Sequence, residues 1–165
     1  MWRKAMHGKD DALRLMYSFV ERLPIAPPSD DVRAKIEPAV MQLIDISRAN
    51  VESQGMMIDW LRTEFDVDTP GMRLEDFARL DEAMFLDEVR KRRPKKAGII
   101  TPSALKALRE AFIEYATPIR EHRAEAAALE RTLSDLVNQA YGLTIAEVAL
   151  LWDTAPPRMP ISRTI

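Results

Sequence analysis

The stretch Leu105 to Ala140, LKALREAFIEYATPIREHRAEAAALERTLSDLVNQA, decides the fold. Read in alternating steps of three and four, it yields Leu105, Leu108, Phe112, Tyr115, Ile119, His122, Ala126, Leu129, Leu133, Leu136 and Ala140. Only His122 is plainly polar in that series. Steps of this kind put every member on one narrow face of an α-helix, the seam along which helices pack as coiled coils. Unbroken, the helix is about 54 Å long at 1.5 Å per residue. Such a seam is unstable in water, so a second helix must cover it.

The segment from Asp31 supplies that partner. Val32, Ile36, Ala39, Leu43, Ile46, Asn50, Ser53, Met57 and Trp60 form another three-four series, with two polar members in its middle. The expected architecture is all-α: a long antiparallel, coiled-coil-like helical hairpin with short flanking helices. Ser29 and Asp30 are suitable N-caps for the first long helix. Pro38 predicts either a kink or a late start in it, and Pro118 a bend in the second. Thr101-Pro102 opens the second helix, Gly142 ends it, and Thr144 caps a short last helix with Ile145, Val148, Ala149, Leu151 and Trp152 on its apolar side. Between the long helices, Leu74, Phe77, Leu80, Met84 and Phe85 predict one or two short helices.

Three regions follow from this reading. Residues 1–28 hold an amphipathic helix over Asp10 to Leu23, with ERLPI (Glu21 to Ile25) as an alternative short extended piece, and a proline-rich linker; residues 29–154 hold the helical hairpin domain, and residues 155–165 an extended tail with three prolines.

The chain has 165 residues, 47% of them hydrophobic, 30% charged, and a formal net charge of −2. That suits one helix-rich domain with a modest core. The absence of cysteine excludes disulfides, a zinc ribbon and a cysteine nucleophile, and it fits a reducing compartment. No apolar run approaches the roughly 18 residues of a membrane span, and no secretory signal opens the chain, so the expected location is cytoplasmic.

Charge is distributed unevenly. Asp59 to Glu88 contains ten Asp or Glu against three Arg. Arg90, Lys91, Arg92, Arg93, Lys95 and Lys96 then crowd six cations into seven residues. Cations in such a run contact nucleic-acid phosphate without reading sequence, or else neutralise the acidic segment before them. Trp2-Arg3-Lys4 is a weaker cationic candidate.

Motifs for catalysis are missing. The five glycines are too scattered for a dinucleotide or phosphate loop, and two distant histidines, His7 and His122, cannot gather a metal. Neither Ala26-Pro27-Pro28-Ser29 nor Ala155-Pro156-Pro157-Arg158 carries the amide or carboxylate before Pro-Pro, or the aromatic after it, that adenine methylation needs. An acidic metal site would have to use Asp81, Asp87 and Glu88. No catalytic residue, cofactor or metal is expected.

Three stretches carry a family resemblance: FLDEVRKRRPKKAGIIT (Phe85 to Thr101), the opening PSALKALREAF, and ERTLSDLVNQAYGLTIAEVALLWDTAPPRMP. They resemble the carboxy-terminal region of large adenine-specific DNA methyltransferases of bacterial restriction-modification systems, including those fused to a nuclease. There a segment like Leu133 to Val148, with its Tyr-Gly-Leu-Thr and a following Glu, closes the chain after a long helical hairpin. LPIAPPS (Leu23 to Ser29) is similar to the junction leading out of the target-recognition domain. The cofactor-binding fold, the catalytic motif and the nuclease have no counterpart here. The resemblance implies a non-catalytic accessory for DNA recognition or subunit assembly. Its partners would be double-stranded DNA, the recognition portion of a larger system, or a second copy of this chain. The alternative is a helical dimerisation module that never meets DNA.

Overall fold

The structure, a computed structural model, describes residues 6–9, 12–15 and 25–154. Among them are two short strands and five α-helices: β1 (Met6–Lys9), β2 (Ala12–Leu15), α1 (Asp30–Phe65), α2 (Gly71–Glu75), α3 (Glu82–Arg92), α4 (Pro102–Ala140) and α5 (Ile145–Asp153). Single 3-10 turns occupy Phe77–Arg79 and Lys95–Ala97. From residue 30 to residue 154 the chain is all-α. No described helix is long and apolar enough to cross a membrane.

The two seams find each other. Gln42 donates to Glu125, and His122 bonds Asn50 at 2.8 Å, so rising numbers on α1 meet falling numbers on α4: the helices are antiparallel. Every member of both series is buried or half-buried. The polar members also match, because Asn50 and His122 face each other. The Asn50 Oδ1 accepts, so the ring Nδ1 carries the proton. A polar pair of this kind satisfies itself only in one register, which fixes how the helices slide.

Local chemistry sets the ends. The Ser29 hydroxyl accepts from the Val32 amide and the Thr101 hydroxyl from the Ala104 amide. Gly142, at φ +64°, ends α4 as the Leu143 amide reaches back to the Asn138 carbonyl at 3.0 Å. Helix α1 starts at Asp30 and continues through Pro38, so the late-start alternative is overturned. Proline costs a helix interior about 3 kcal/mol. Here Val32 and Ala39, both buried, anchor the turns around Pro38, and Ala116 and Ile119 do the same around Pro118. Tertiary burial outweighs the local cost.

The expected helix over Asp10 to Leu23 is corrected where the structure describes it. Ala12–Leu15 pairs antiparallel with Met6–Lys9, Leu13 opposite Gly8. Leu13 and Leu15 alternate with the two-residue period of a strand, a pattern that competes with the helical one over so short a span. Residues 10–11 and 16–24, the tail from 155 and Trp2-Arg3-Lys4 lie outside the described residues.

The core is concentrated at one end of the hairpin. The connection between α1 and α4 folds back over Met57, Leu61 and Phe65 of α1 and Leu108, Phe112 and Ile119 of α4. Phe85 stacks on Phe112 with ring centres 4.8 Å apart, and Phe77 meets Phe112 at 6.4 Å. Arg120 clamps this cap from α4, donating to the carbonyls of Ala78 and Leu80. Gly71 begins α2 at φ +70°, where a Cβ would stand 2.7 Å from the Arg92 guanidinium. Beyond His122 the molecule is a two-helix arm whose α4 side chains are no more than half-buried.

Head and arm should respond differently to truncation. Phe112→Ala should cost about 3–5 kcal/mol of unfolding free energy, as large-to-small core substitutions do. Leu133→Ala, on the arm, should cost less than half as much. Urea denaturation followed by circular dichroism checks both.

Candidate phosphate-contact groove

The basic run is split between helix and turn. Arg90, Lys91 and Arg92 form the last turn of α3, where positive side chains complement the helix dipole. Arg93 caps it, and Lys95 and Lys96 lie in the following 3-10 turn. The six residues therefore have different surroundings.

Arg93 is structural. Its Nε donates to the Phe65 carbonyl at 3.1 Å, while its other two nitrogens donate to Ala97 and Gly98. Its guanidinium also lies 6.0 Å from the centre of the Phe65 ring. One side chain thereby ties the end of α1 to the turn before α4. Arg92 is structural too: it packs across Gly71 and donates to Glu88 at 3.1 Å.

Glu88 is the buried charge of this region, 4% exposed. Arg73 and Lys91 approach it at 3.8 and 3.6 Å beside Arg92. The Arg92 hydrogen bond holds its carboxyl below the usual carboxylate range against the opposing effect of burial, and the charges of Lys91, Arg92 and Arg73 add to the lowering. Arg90 pairs with Asp87 at 2.9 Å on an exposed face. Lys95 and Lys96 are exposed and make no ion pair within the described residues.

Arg90, Lys91, Arg93 and Lys95 line an open groove of about 490 Å³, with Ile99, Ile100 and Leu105 on its apolar side. Ile99 is 95% exposed. Lys96 lies outside the lining. The expected cluster thus resolves into two groups: Arg90, Lys91, Lys95 and Lys96 remain accessible to a ligand, and Arg92 and Arg93 are held by the protein itself.

The acidic metal-site alternative is not assembled. Asp81 caps α3 by accepting from the Met84 amide, Asp87 is engaged by Arg90, and Glu88 by Arg92. Among the described residues no three potential ligands converge on a point.

The hairpin, its inserted cap and the groove together coincide with a known sequence family. A family described as a domain of unknown function, DUF8810, matches residues 29–137. The chain belongs to the DUF8810 family. The matched span begins at the Ser29 cap and takes in α1, the cap of short helices, the groove and all but the last turn of α4. No curated protein and no solved structure matches the chain. The Tyr141-Gly142-Leu143-Thr144 turn lies outside the DUF8810 span. Its role is local: Gly142 supplies the left-handed conformation, and Thr144 with Glu147 forms a capping box at the start of α5. Bonds from the Thr144 amide and hydroxyl lower the Glu147 pKa.

Arg93→Ala should lower unfolding free energy by about 1.5–3 kcal/mol, the range for hydrogen bonds to a charged group, and Arg93→Lys should recover under half of it because an ammonium cannot reproduce the fork. Lys95→Ala and Lys96→Ala should stay within about 0.5 kcal/mol of wild type. For Glu88 the folded pKa is depressed, so its contribution is present above the ordinary value of 4.5 and disappears as pH falls through the lowered one. Glu88→Gln should therefore flatten the acid side of the stability profile, measured by urea titration at a series of pH values.

Proposed function

We propose that this DUF8810 protein is a non-catalytic helical module that contacts the phosphate backbone of double-stranded DNA. In this reading it is an accessory of a restriction-modification methyltransferase system in the cytoplasm. One observation carries the DNA contact: Lys95 and Lys96 are exposed, with no ion pair among the described residues, beside Arg90 and Lys91 at the rim of an open groove. Flexible ammonium groups on a surface turn displace condensed counterions and follow a backbone without reading bases. The setting rests on the resemblance of Phe85 to Thr101 and Leu133 to Val148 to the terminal region of adenine-specific methyltransferases.

The non-catalytic part is supported by where the buried Glu88 and the half-buried His122 spend their bonding capacity. Glu88 is taken up by Arg92, and His122 by Asn50. Neither is poised for proton transfer to a substrate.

A second reading, a helical protein-interaction module, is favoured by α5. Ile145, Leu150 and Leu151 are 91%, 62% and 54% exposed, and no residue of that helix is buried. An apolar helix that the described residues cover only in part is a common feature of assembly segments.

Duplex-DNA binding by fluorescence anisotropy at several salt concentrations tests the first reading. The expected result is affinity that falls steeply with salt. Changing Arg90, Lys91, Lys95 and Lys96 together to Gln should weaken it and reduce the log–log salt slope by up to about 3–4, roughly 0.9 for each phosphate no longer neutralised. Arg92 and Arg93 are left intact so that the fold survives. Absent binding at low salt, or binding unchanged in the four-site variant, would sink the phosphate reading.

A further inference from the structure

The face of α1 turned away from α4 has an order that the hairpin does not use. Arg33, Glu37, Met41, Ile44, Arg48 and Glu52 follow one another in steps of four, four, three, four and four. At about 100° per residue they fall within one sector roughly 100° wide, opposite the buried seam. Met41 and Ile44 are 57% and 44% exposed. Arg33, Glu37 and Glu52 are exposed and make no ion pair within the described residues. Arg48 reaches only Asp45 of its own helix, at 3.6 Å and with both side chains open to solvent.

The order is self-complementary. Read forward it runs cation, anion, apolar, apolar, cation, anion; read backward, each position meets its chemical complement. A second α1 laid antiparallel, with a twofold axis passing between positions 42 and 43, sets Arg33 against Glu52, Glu37 against Arg48, and Met41 against Ile44. All three pairings share a single register. The twofold repeats each of them, giving four ion pairs around an apolar centre. Charges flanking an apolar seam choose partner and orientation in helix pairs.

We propose that the protein forms a homodimer through this face, α1 against α1 of a second copy, antiparallel and in that register. The charge pattern identifies the occupant, because a partner of unrelated sequence has no reason to mirror it. The pairing is isologous, as a twofold interface requires. It turns two two-helix arms into a four-helix layer with α1 of each copy at the centre. This face and the phosphate groove lie toward opposite ends of α1 and share no residue.

The test uses the full chain in sedimentation equilibrium, with circular dichroism to verify folding. Wild type should sediment as twice the 18.8 kDa monomer. Glu37→Arg sets like charges against Arg48 at two places and should weaken the dimer by on the order of a hundredfold. Arg48→Glu should do the same, and the two changes combined should restore association. Register is read separately: the chain has no cysteine, so a Met41→Cys/Ile44→Cys variant should form an interchain disulfide under mild oxidation. A wild type that stays monomeric at its highest soluble concentration overturns the proposal. So does a dimer indifferent to both reversals, or one whose reversals are not rescued together. If the reversal variants fail to fold, the cysteine variant decides, and absence of the cross-link counts against the interface.

Discussion

Everything in this molecule depends on two apolar seams of nearly equal length having to hide from the same water. Neither long helix carries enough buried surface on its other sides to stand alone. Their mutual burial is what tolerates Pro38 and Pro118 inside helices that local propensity would interrupt. The Asn50–His122 bond is small beside that hydrophobic term, but it is directional. The hydrophobic effect decides that the helices pair, and the polar pair decides where.

The same constraint explains the unequal distribution of structure. The chain between the long helices folds back over their connected end, and there Phe77, Phe85 and Phe112 complete a core with three walls. The other end receives no such cover from the described residues. An arm of two helices can hide one face of each helix and no more, so α1 retains apolar side chains on a second face. Their charged neighbours keep that face compatible with water and, by their order, able to recognise a copy of itself.

The acidic and basic segments owe much of their composition to one another. Glu88 is a buried carboxylate surrounded by Arg73, Lys91 and Arg92, and Arg123 pairs with Asp76 across the cap. Part of a conspicuous cation run is consequently scaffolding. What is left over for a ligand is smaller than the run suggests: two cations at the end of α3 and two in the turn after it.

How much of this was legible in the chain follows from the range of the interactions involved. Both long helices, their antiparallel pairing, the Ser29, Thr101 and Thr144 caps and the Gly142 stop could be read directly, because periodicity and capping depend on residues three or four apart. Residues 12–15 went the other way, since four residues satisfy a helical and a strand period equally well. The division of the six cations was not legible. Arg93 is held in place in part because the Phe65 carbonyl, 28 positions earlier, arrives beside it, and nothing within the run announces that acceptor. Glu88 differs from Asp87 only in the side of α3 that the cap turns inward. By itself, then, the sequence determined the helices, their ends and the seam that joins them. The tertiary structure decided which charges were left free, because burial and hydrogen bonding by groups distant in the chain are set only once the fold has brought them together.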